Sequence, residues 1–261
     1  MERHTLYKGK VTLLYDDVPH TYNVNGIDYP SVTKITGILD KPALRNWYIS
    51  RSINYMKEHI HPGVAYDEIQ LTELFKDAFY GGHRSRDTAA NIGKEVHSWI
   101  ERHIKHQIAS GGRKEKYPMP VHDGMRSSVD KFLAWEEENS PNYIFAERKL
   151  ASMEYKFAGT VDIVYRDTDG DLVVSDIKTG KSIYEEHWLQ VAGYVDALTE
   201  EDPVDLENFG YYGEISREII HIPMKGNLTA HNLKSDSKLD SEKEVFRNLA
   251  SVYHWKEGIK S

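Results

Sequence analysis

The pattern of hydrophobic and polar positions changes character several times along the chain. Residues 1–30 carry β-branched and aromatic side chains in VTLLYDD and HTYNVNGIDYP, and Asn25-Gly26 is a strong hairpin turn. Ser31 is a good N-cap for the helix that VTKITGIL predicts. Helices are also predicted over residues 42–58, 67–80, about 87–108 and 123–139, with a Gly- and Pro-containing loop over 110–120.

From residue 143 onwards the pattern favours strands. YIFAERKLAS, KFAGTVDIVY and DLVVSDIK are three such segments, and Asp169-Gly170 predicts a tight turn between the last two. A helix over residues 183–200, a strand pair over 208–223 and a terminal helix over 241–257 follow. This order predicts a mixed α/β fold with a helical N-terminal part.

Composition limits the class of protein. The chain has 261 residues, of which 39% are hydrophobic and 28% charged, as expected of a soluble globular protein with a real core. It contains no run of 18 apolar residues and does not begin with an apolar signal segment, so we expect a cytoplasmic protein without a membrane partner. We predict an N-terminal extension over residues 1–85 and a core over residues 86–261.

Cysteine usage and charge narrow the chemistry. The absence of cysteine excludes disulfides, thiolate zinc sites and cysteine-ligated iron–sulfur clusters. The net charge of −8 is unlike that of a protein that coats nucleic acid non-specifically. Any nucleic-acid binding must therefore come from local basic patches.

The predicted hairpin around Asp169-Gly170 carries charges where valines are expected. Pairing its strands places Asp162 and Asp176 opposite each other to within one residue, and Lys178 shares a face with Asp176 while Ile177 points away. Paired carboxylates suit Mg²⁺ or Mn²⁺, and a nearby lysine suits phosphodiester hydrolysis. An Asp–Lys pair is more often a solvated surface pair, but the apolar flanks VDIV and LVVSDIK argue against that alternative.

Four ordered motifs are similar to those of a known family. They are Gly93–His97, Gly159–Asp162, Asp176–Gly180 and Gln190–Tyr194, and together they resemble the PD-(D/E)XK nucleases of the RecB-like branch. Pro30–Thr33 also resembles the mitochondrial genome maintenance exonuclease and its phage-encoded relatives. The resemblance implies a restriction-endonuclease-like core, with a central mixed β-sheet flanked by helices, and a mainly helical N-terminal extension.

The resemblance also implies roles for individual residues. Asp162, Asp176 and the main-chain carbonyl of Ile177 would be metal ligands, and Lys178 would be the catalytic lysine. His97 would be a further metal ligand or would hold the leaving side of the phosphate. Two Mg²⁺ or Mn²⁺ ions would be bound. With 13 histidines in the chain, His97 could instead be an ordinary helix residue.

Three more residues stand close to these motifs. Gln190 and Tyr194, four apart on one helix face, would orient Lys178 or the nucleic-acid backbone, or could be a polar edge and a core aromatic. Glu147 would be an acid of the second coordination shell, or only a partner of neighbouring charges. His103 and His106 have loose metal spacing without accompanying ligands, so we expect no zinc there.

The basic residues that could hold nucleic acid precede the core motifs. HRSRD is the most local basic cluster, and the predicted contacts are Arg45, Arg51, Arg84, Arg86 and Lys94, with Lys34 a further candidate. Trp47 and Tyr48 could stack on bases, although an aromatic pair at this spacing is more often part of a core.

The sequence therefore predicts a metal-dependent DNA exonuclease acting on DNA with a free end, in phage or mobile-element replication, recombination or repair. Alternatives are a structure-specific endonuclease on the same fold and a non-catalytic nucleic-acid-binding module. A sugar or nucleotide hydrolase with paired carboxylates is a weaker alternative, because it leaves Lys178 and Gln190 without a role.

Overall fold

The computed structural model describes residues 1–111, 117–119, 123–201, 215–223, 229–233 and 238–258, without the side chains of 84–86, 89, 123–124 and 230–233. By its internal contacts the chain forms two units, Leu39–Glu95 and the combination of Met1–Ile38 with Val96–Ser261. This division differs from a boundary after residue 85, because the N-terminal sheet packs with the core. No helix within the described ranges is long and apolar enough to cross a membrane.

The larger unit begins with a four-stranded antiparallel sheet. Its strands, in both chain and spatial order, are β1 (Glu2–Leu6), β2 (Val11–Asp16), β3 (Thr21–Val24) and β4 (Ile27–Tyr29). The turn between β3 and β4 is Asn25-Gly26, and both residues have positive φ, as such a hairpin requires. Leu13 and Tyr22 from this sheet pack with Ala151 and Ala158 of the second sheet.

The second sheet has five strands and is mixed, as predicted. Its spatial order follows the chain: β5 (Asn142–Ser152), β6 (Phe157–Arg166), β7 (Leu172–Lys178), β8 (Ile215–His221) and β9 (Thr229–Leu233). All neighbours are antiparallel except β7 and β8, which are parallel and joined through a helix. Of the strand pair predicted over 208–223 the structure shows one strand, β8, and residues 208–214 lie outside the described ranges. The antiparallel neighbour of β8 is β9, which lies beyond the predicted range.

Helices cover both faces of the mixed sheet. On one face lie α1 (Val32–Thr36), α5 (Glu185–Glu201) and α6 (Leu239–Glu257). On the other face lie α4 (Asp123–Asn139) and the part of α3 (Glu68–Ala109) that belongs to this unit. The α/β core with a central mixed sheet between helices is the architecture expected of a restriction-endonuclease-like fold.

Two predictions about the N-terminal region were wrong. Residues 67–80 and 87–108 form one continuous helix, α3, without the expected break. The Pro30–Thr33 segment, expected on an extension, lies in the core: Ala158 donates a main-chain hydrogen bond of 3.0 Å to Pro30 O. Ser31 caps α1 by accepting from the N–H of Lys34 at 3.0 Å, as predicted.

The smaller unit contains α2 (Pro42–His59) and the N-terminal part of α3. Gly82 on α3 makes room for Tyr48 of α2, because a Cβ at Gly82 would lie 2.9 Å from the Tyr48 ring. Tyr48 also stacks on His83 and contacts Trp47 edge to face.

Candidate active site

The centre of the site is the end of β7, where the strand changes from apolar to charged. Leu172 and Val174 pack towards α5, and period-2 alternation continues this face to Asp176 and Lys178. Ile177 packs into the cluster on the opposite face. The structure therefore orients these three residues as the sequence predicts.

Asp162 on β6 joins this group across the strand pair. Its Oδ2 accepts a hydrogen bond of 2.7 Å from the main-chain N–H of Ile177. The same oxygen lies 3.5 Å from Nδ1 of His97 on α3. Asp162 and His97 are thus neighbours, and the charge of Asp176 is near enough to raise the pKa of His97.

Gln190 on α5 connects the acid and the base of β7. Its Nε2 donates to Asp176 Oδ1 at 3.0 Å, and its Oε1 accepts from Lys178 Nζ at 3.0 Å. Lys178 also pairs with Asp176 Oδ2 at 2.5 Å. Because Asp176 is 2% exposed and Gln190 7% exposed, this arrangement is largely shielded from water.

Tyr194 fixes the position of Gln190. Its hydroxyl accepts a hydrogen bond of 2.8 Å from Gln190 Nε2, one helical turn away. The ring packs over Gly159, where a Cβ would lie 2.7 Å from Tyr194 Cε1 and 3.0 Å from Val32 Cγ2. Strand β6 and helices α5 and α1, which are distant in sequence, therefore pack directly on one another at Gly159.

Glu147 on β5 lies beside Asp162. One ligand atom each from His97, Glu147 and Asp162 can be chosen so that all three lie within 4.8 Å of one another. Within the described part of the chain this is the group of His, Asp and Glu side chains that could hold a metal ion. Glu147 lies in the middle of β5.

The electrostatics of the group reflect carboxylates crowded in a buried place. Burial and the neighbouring Asp162 raise the pKa of Glu147 to about 8. Burial likewise raises the pKa of Asp176 to about 6, although Lys178 opposes the shift. Burial also disfavours the charged form of Asp162, but His97 and Lys178 outweigh it and lower its pKa. A cation would relieve the repulsion between these acids.

Burial acts on the pKa of His97 in the opposite direction to its effect on the acids. Burial lowers the pKa of His97, but Asp162 outweighs burial and raises it. His97 thus pairs with Asp162, and a bound ion would displace the proton of the histidine. His103 instead lies 2.9 Å from the carboxylate of Glu136, and neither it nor His106 belongs to the metal-ligand group.

The sequence did not single out Lys149, whose side chain pairs with Glu147. Its Nζ is 3.8 Å from Glu147 Oε2 and 4.4 Å from the ring centre of Tyr15. The available signal was the spacing: Glu147-Arg148-Lys149 has the same acid-x-lysine order as Asp176-Ile177-Lys178.

Most of the predicted nucleic-acid contacts lie in the smaller unit, namely Arg45, Arg51 and Lys94. The main chains of Arg84 and Arg86 also belong to it, but their side chains lie outside the described set. The Arg45 side chain is exposed and pairs with Asp40 at 3.2 Å. Arg51 lies over the Trp47 ring, 5.9 Å from its centre. Lys34 belongs to the larger unit and is exposed.

Residues 73–257 match the family model of the PD-(D/E)XK nuclease superfamily. The chain belongs to this superfamily. Its fold implies metal-dependent hydrolysis of nucleic acid, and the acids and histidine described above are a candidate site for the divalent metal that PD-(D/E)XK nucleases use. No curated protein matches the chain.

Two of the solved structures that match the chain illustrate how weak the likeness is. One is the crystal structure of SSO0001, with TM-score 0.27 and 12% identity, covering 48% of this chain and 56% of that one. The other is an EndoMS-dsDNA2 complex, with TM-score 0.23 and 22% identity, covering 42% and 50%. The chain thus spans about half the length of each, and at these scores neither bears on its substrate.

Proposed function

We propose that this PD-(D/E)XK protein is a Mg²⁺- or Mn²⁺-dependent DNA exonuclease of the RecB-like branch. The observation that carries the proposal is the bridge made by Gln190, which holds the carboxylate of Asp176 and the ammonium of Lys178 at 3.0 Å each. Burying such an acid–base pair without a chemical role is costly. The resemblance of Pro30–Thr33 to phage-encoded and mitochondrial exonucleases supports a setting in DNA replication, recombination or repair.

The donor set fits a divalent cation. Asp162 and Asp176 offer carboxylate oxygens, the carbonyl of Ile177 offers another hard oxygen, and His97 offers a nitrogen that Mn²⁺ tolerates. When bound, the cations would lower the pKa of a water and neutralise charge on the phosphate.

The side chains would divide the remaining work. Lys178 would direct the attacking water and stabilise negative charge that develops on the phosphate. Gln190 would keep the side chains of Lys178 and Asp176 aligned with each other, and Tyr194 would hold Gln190 in place. Hydrolysis forms a bond from the water oxygen to phosphorus and breaks the bond to the 3′ oxygen, which leaves with a proton.

The smaller unit would hold the nucleic acid. Exposed cations at Arg45 and Lys94 suit phosphates, and Trp47 with Arg51 above it suits stacking on bases of a single strand. Arg84 and Arg86 would add to the same basic surface. The acidic remainder of the chain, with net charge −8, would confine the nucleic acid to these contacts.

The decisive test of exonuclease action compares closed circular single-stranded DNA with the same DNA linearised, each with Mg²⁺. An enzyme that requires an end shortens the linear substrate and spares the circle. Equal loss of both would establish the endonuclease alternative. Binding without cleavage of either, or of the corresponding duplexes, would establish the non-catalytic alternative.

End-labelled linear substrates of both polarities, single- and double-stranded, extend the test. An Arg51→Ala variant should bind single strands more weakly if Trp47 and Arg51 form a stacking platform. Lys181→Ala, an exposed change in the larger unit, is the matched control.

A further inference from the structure

Glu147 faces Asp162 across the β5–β6 pair. Ala146 pairs with Ile163 and Arg148 pairs with Val161, so the register sets Glu147 opposite Asp162. Directly opposed residues of antiparallel strands project their side chains from the same face. The two carboxylates are therefore neighbours by construction of the sheet, although the strands that carry them are different.

The backbone at Glu147 is in an unusual state. Its φ is +52°, and among the described residues it is the one non-glycine with positive φ inside a strand. The others lie at turns, at a helix end or in the 3₁₀ segment Tyr7–Gly9. A side chain with a Cβ pays about 1–2 kcal/mol for this conformation. The fold tolerates the cost at the residue whose carboxylate reaches His97 and Asp162.

The three side chains suit a single ion. Their chosen ligand atoms lie within 4.8 Å of one another. Ligands at about 2.1 Å from an octahedral ion are about 3–4 Å apart, so small rotations would suffice. A histidine nitrogen with two carboxylate oxygens is a mixed set that Mn²⁺ accepts.

Asp162 thus has an acid-x-lysine pair on each side. Asp176 and Lys178 lie on β7, and Glu147 and Lys149 lie on β5. The Nζ of Lys149 lies 3.8 Å from Glu147, and its position against the Tyr15 ring limits its freedom.

We propose that Glu147 is a direct metal ligand, with His97 and Asp162, at a position separate from the one to which Asp162, Asp176 and the Ile177 carbonyl would contribute. The nitrogen of His97 then belongs to the position on β5. This assignment replaces the outer-shell role suggested by the sequence. It rests on the proposed function and deepens it, because it assigns a ligand of the second ion to strand β5.

The test counts bound Mn²⁺ per chain by electron paramagnetic resonance and calorimetry, without substrate. We expect two ions on the wild type, one on Glu147→Gln, and two on Glu137→Gln, the matched change at an exposed position of α4. Melting temperatures in chelator show whether each variant is folded. The titration extends to about 1000 times the wild-type dissociation constant, because losing an outer-shell residue weakens metal affinity by only about 100-fold.

The outcomes separate the two proposals. Two ions on Glu147→Gln, with affinity unchanged or weakened by 10–100-fold, would return Glu147 to an outer shell and overturn the inference. A single ion on the wild type that Glu147→Gln leaves in place would overturn it as well. A wild type that binds no ion, or an Asp162→Asn variant that binds both, would instead overturn the proposed metal site itself.

Discussion

Tyr194 lies over Gly159 at a distance that leaves no room for a Cβ, which would approach Cε1 of the tyrosine to 2.7 Å. Gly159 thereby allows the ring of Tyr194, which belongs to another motif, to pack directly against β6. Since Tyr194 in turn holds Gln190, the contact reaches the acid and base of β7 through two side chains.

Gly159→Ala should destabilise the protein and disturb the site. The added methyl must displace Tyr194 or Val32, a form of overpacking that costs about 1–3 kcal/mol in free energy of unfolding. Urea denaturation measures this loss. Gly180→Ala is the control, because a Cβ there meets nothing within 4 Å. Equal stability of both variants would show that the Tyr194 ring moves aside freely.

Gln190→Met should lower kcat more than it raises KM. The change removes both hydrogen bonds that align Asp176 with Lys178 but keeps the volume of the side chain. We expect a loss of about 10²-fold in kcat, similar to the loss of a single stabilising donor. Glu185→Ala, exposed on the same helix, should retain activity. A pure KM effect would make Gln190 a substrate contact.

Glu218→Gln should change how stability depends on pH. Glu218 is buried on β8, accepts hydrogen bonds of 3.0 Å from Tyr165 and Ser175, and burial raises its pKa from 4.5 to about 7. The folded state therefore binds the Glu218 proton more tightly than the unfolded state does. The contribution of this protonated side chain to the free energy of unfolding is lost as pH rises from 4.5 to about 7.

The variant should avoid this loss. The difference in free energy of unfolding, variant minus wild type, should rise by about 3 kcal/mol between pH 4 and pH 8. Urea titrations across that range measure it, with Glu137→Gln as the exposed control. Parallel pH profiles for wild type and Glu218→Gln would contradict the raised pKa.

The divalent ions should differ in what they support. Mg²⁺ and Mn²⁺ should sustain cleavage, whereas Ca²⁺ should bind and sustain little, because its longer and looser coordination misplaces the attacking water. Initial rates with each ion, after dialysis against chelator, give the comparison. Cleavage that persists in excess chelator would contradict metal dependence altogether.

The meeting of Asp162, Asp176 and Lys178 was predictable from the sequence because a tight turn at Asp169-Gly170 fixes the register of its two strands. Glu147 was harder to place, since its strand shifts register between Tyr143 and Phe145 and no sequence signal marks its left-handed backbone.

The break expected in α3 shows how packing can override a local signal. Gly81-Gly82 and Asp87 are typical of a helix end followed by a new N-cap. In the structure Gly82 instead admits the Tyr48 ring, so the glycine serves contact between helices. The sequence alone does not distinguish these two uses of glycine.

The most direct test of the central claim is the rate of Mg²⁺-dependent DNA hydrolysis by Asp176→Asn and Lys178→Ala. Their controls are Asp169→Asn, an exposed change in the turn of the same hairpin, and Lys181→Ala, which is also exposed. The site predicts losses of at least about 10²-fold for the first two, with melting temperatures in chelator maintained, and full rates for the controls. Wild-type rates for Asp176→Asn or Lys178→Ala would contradict the assignment of this site.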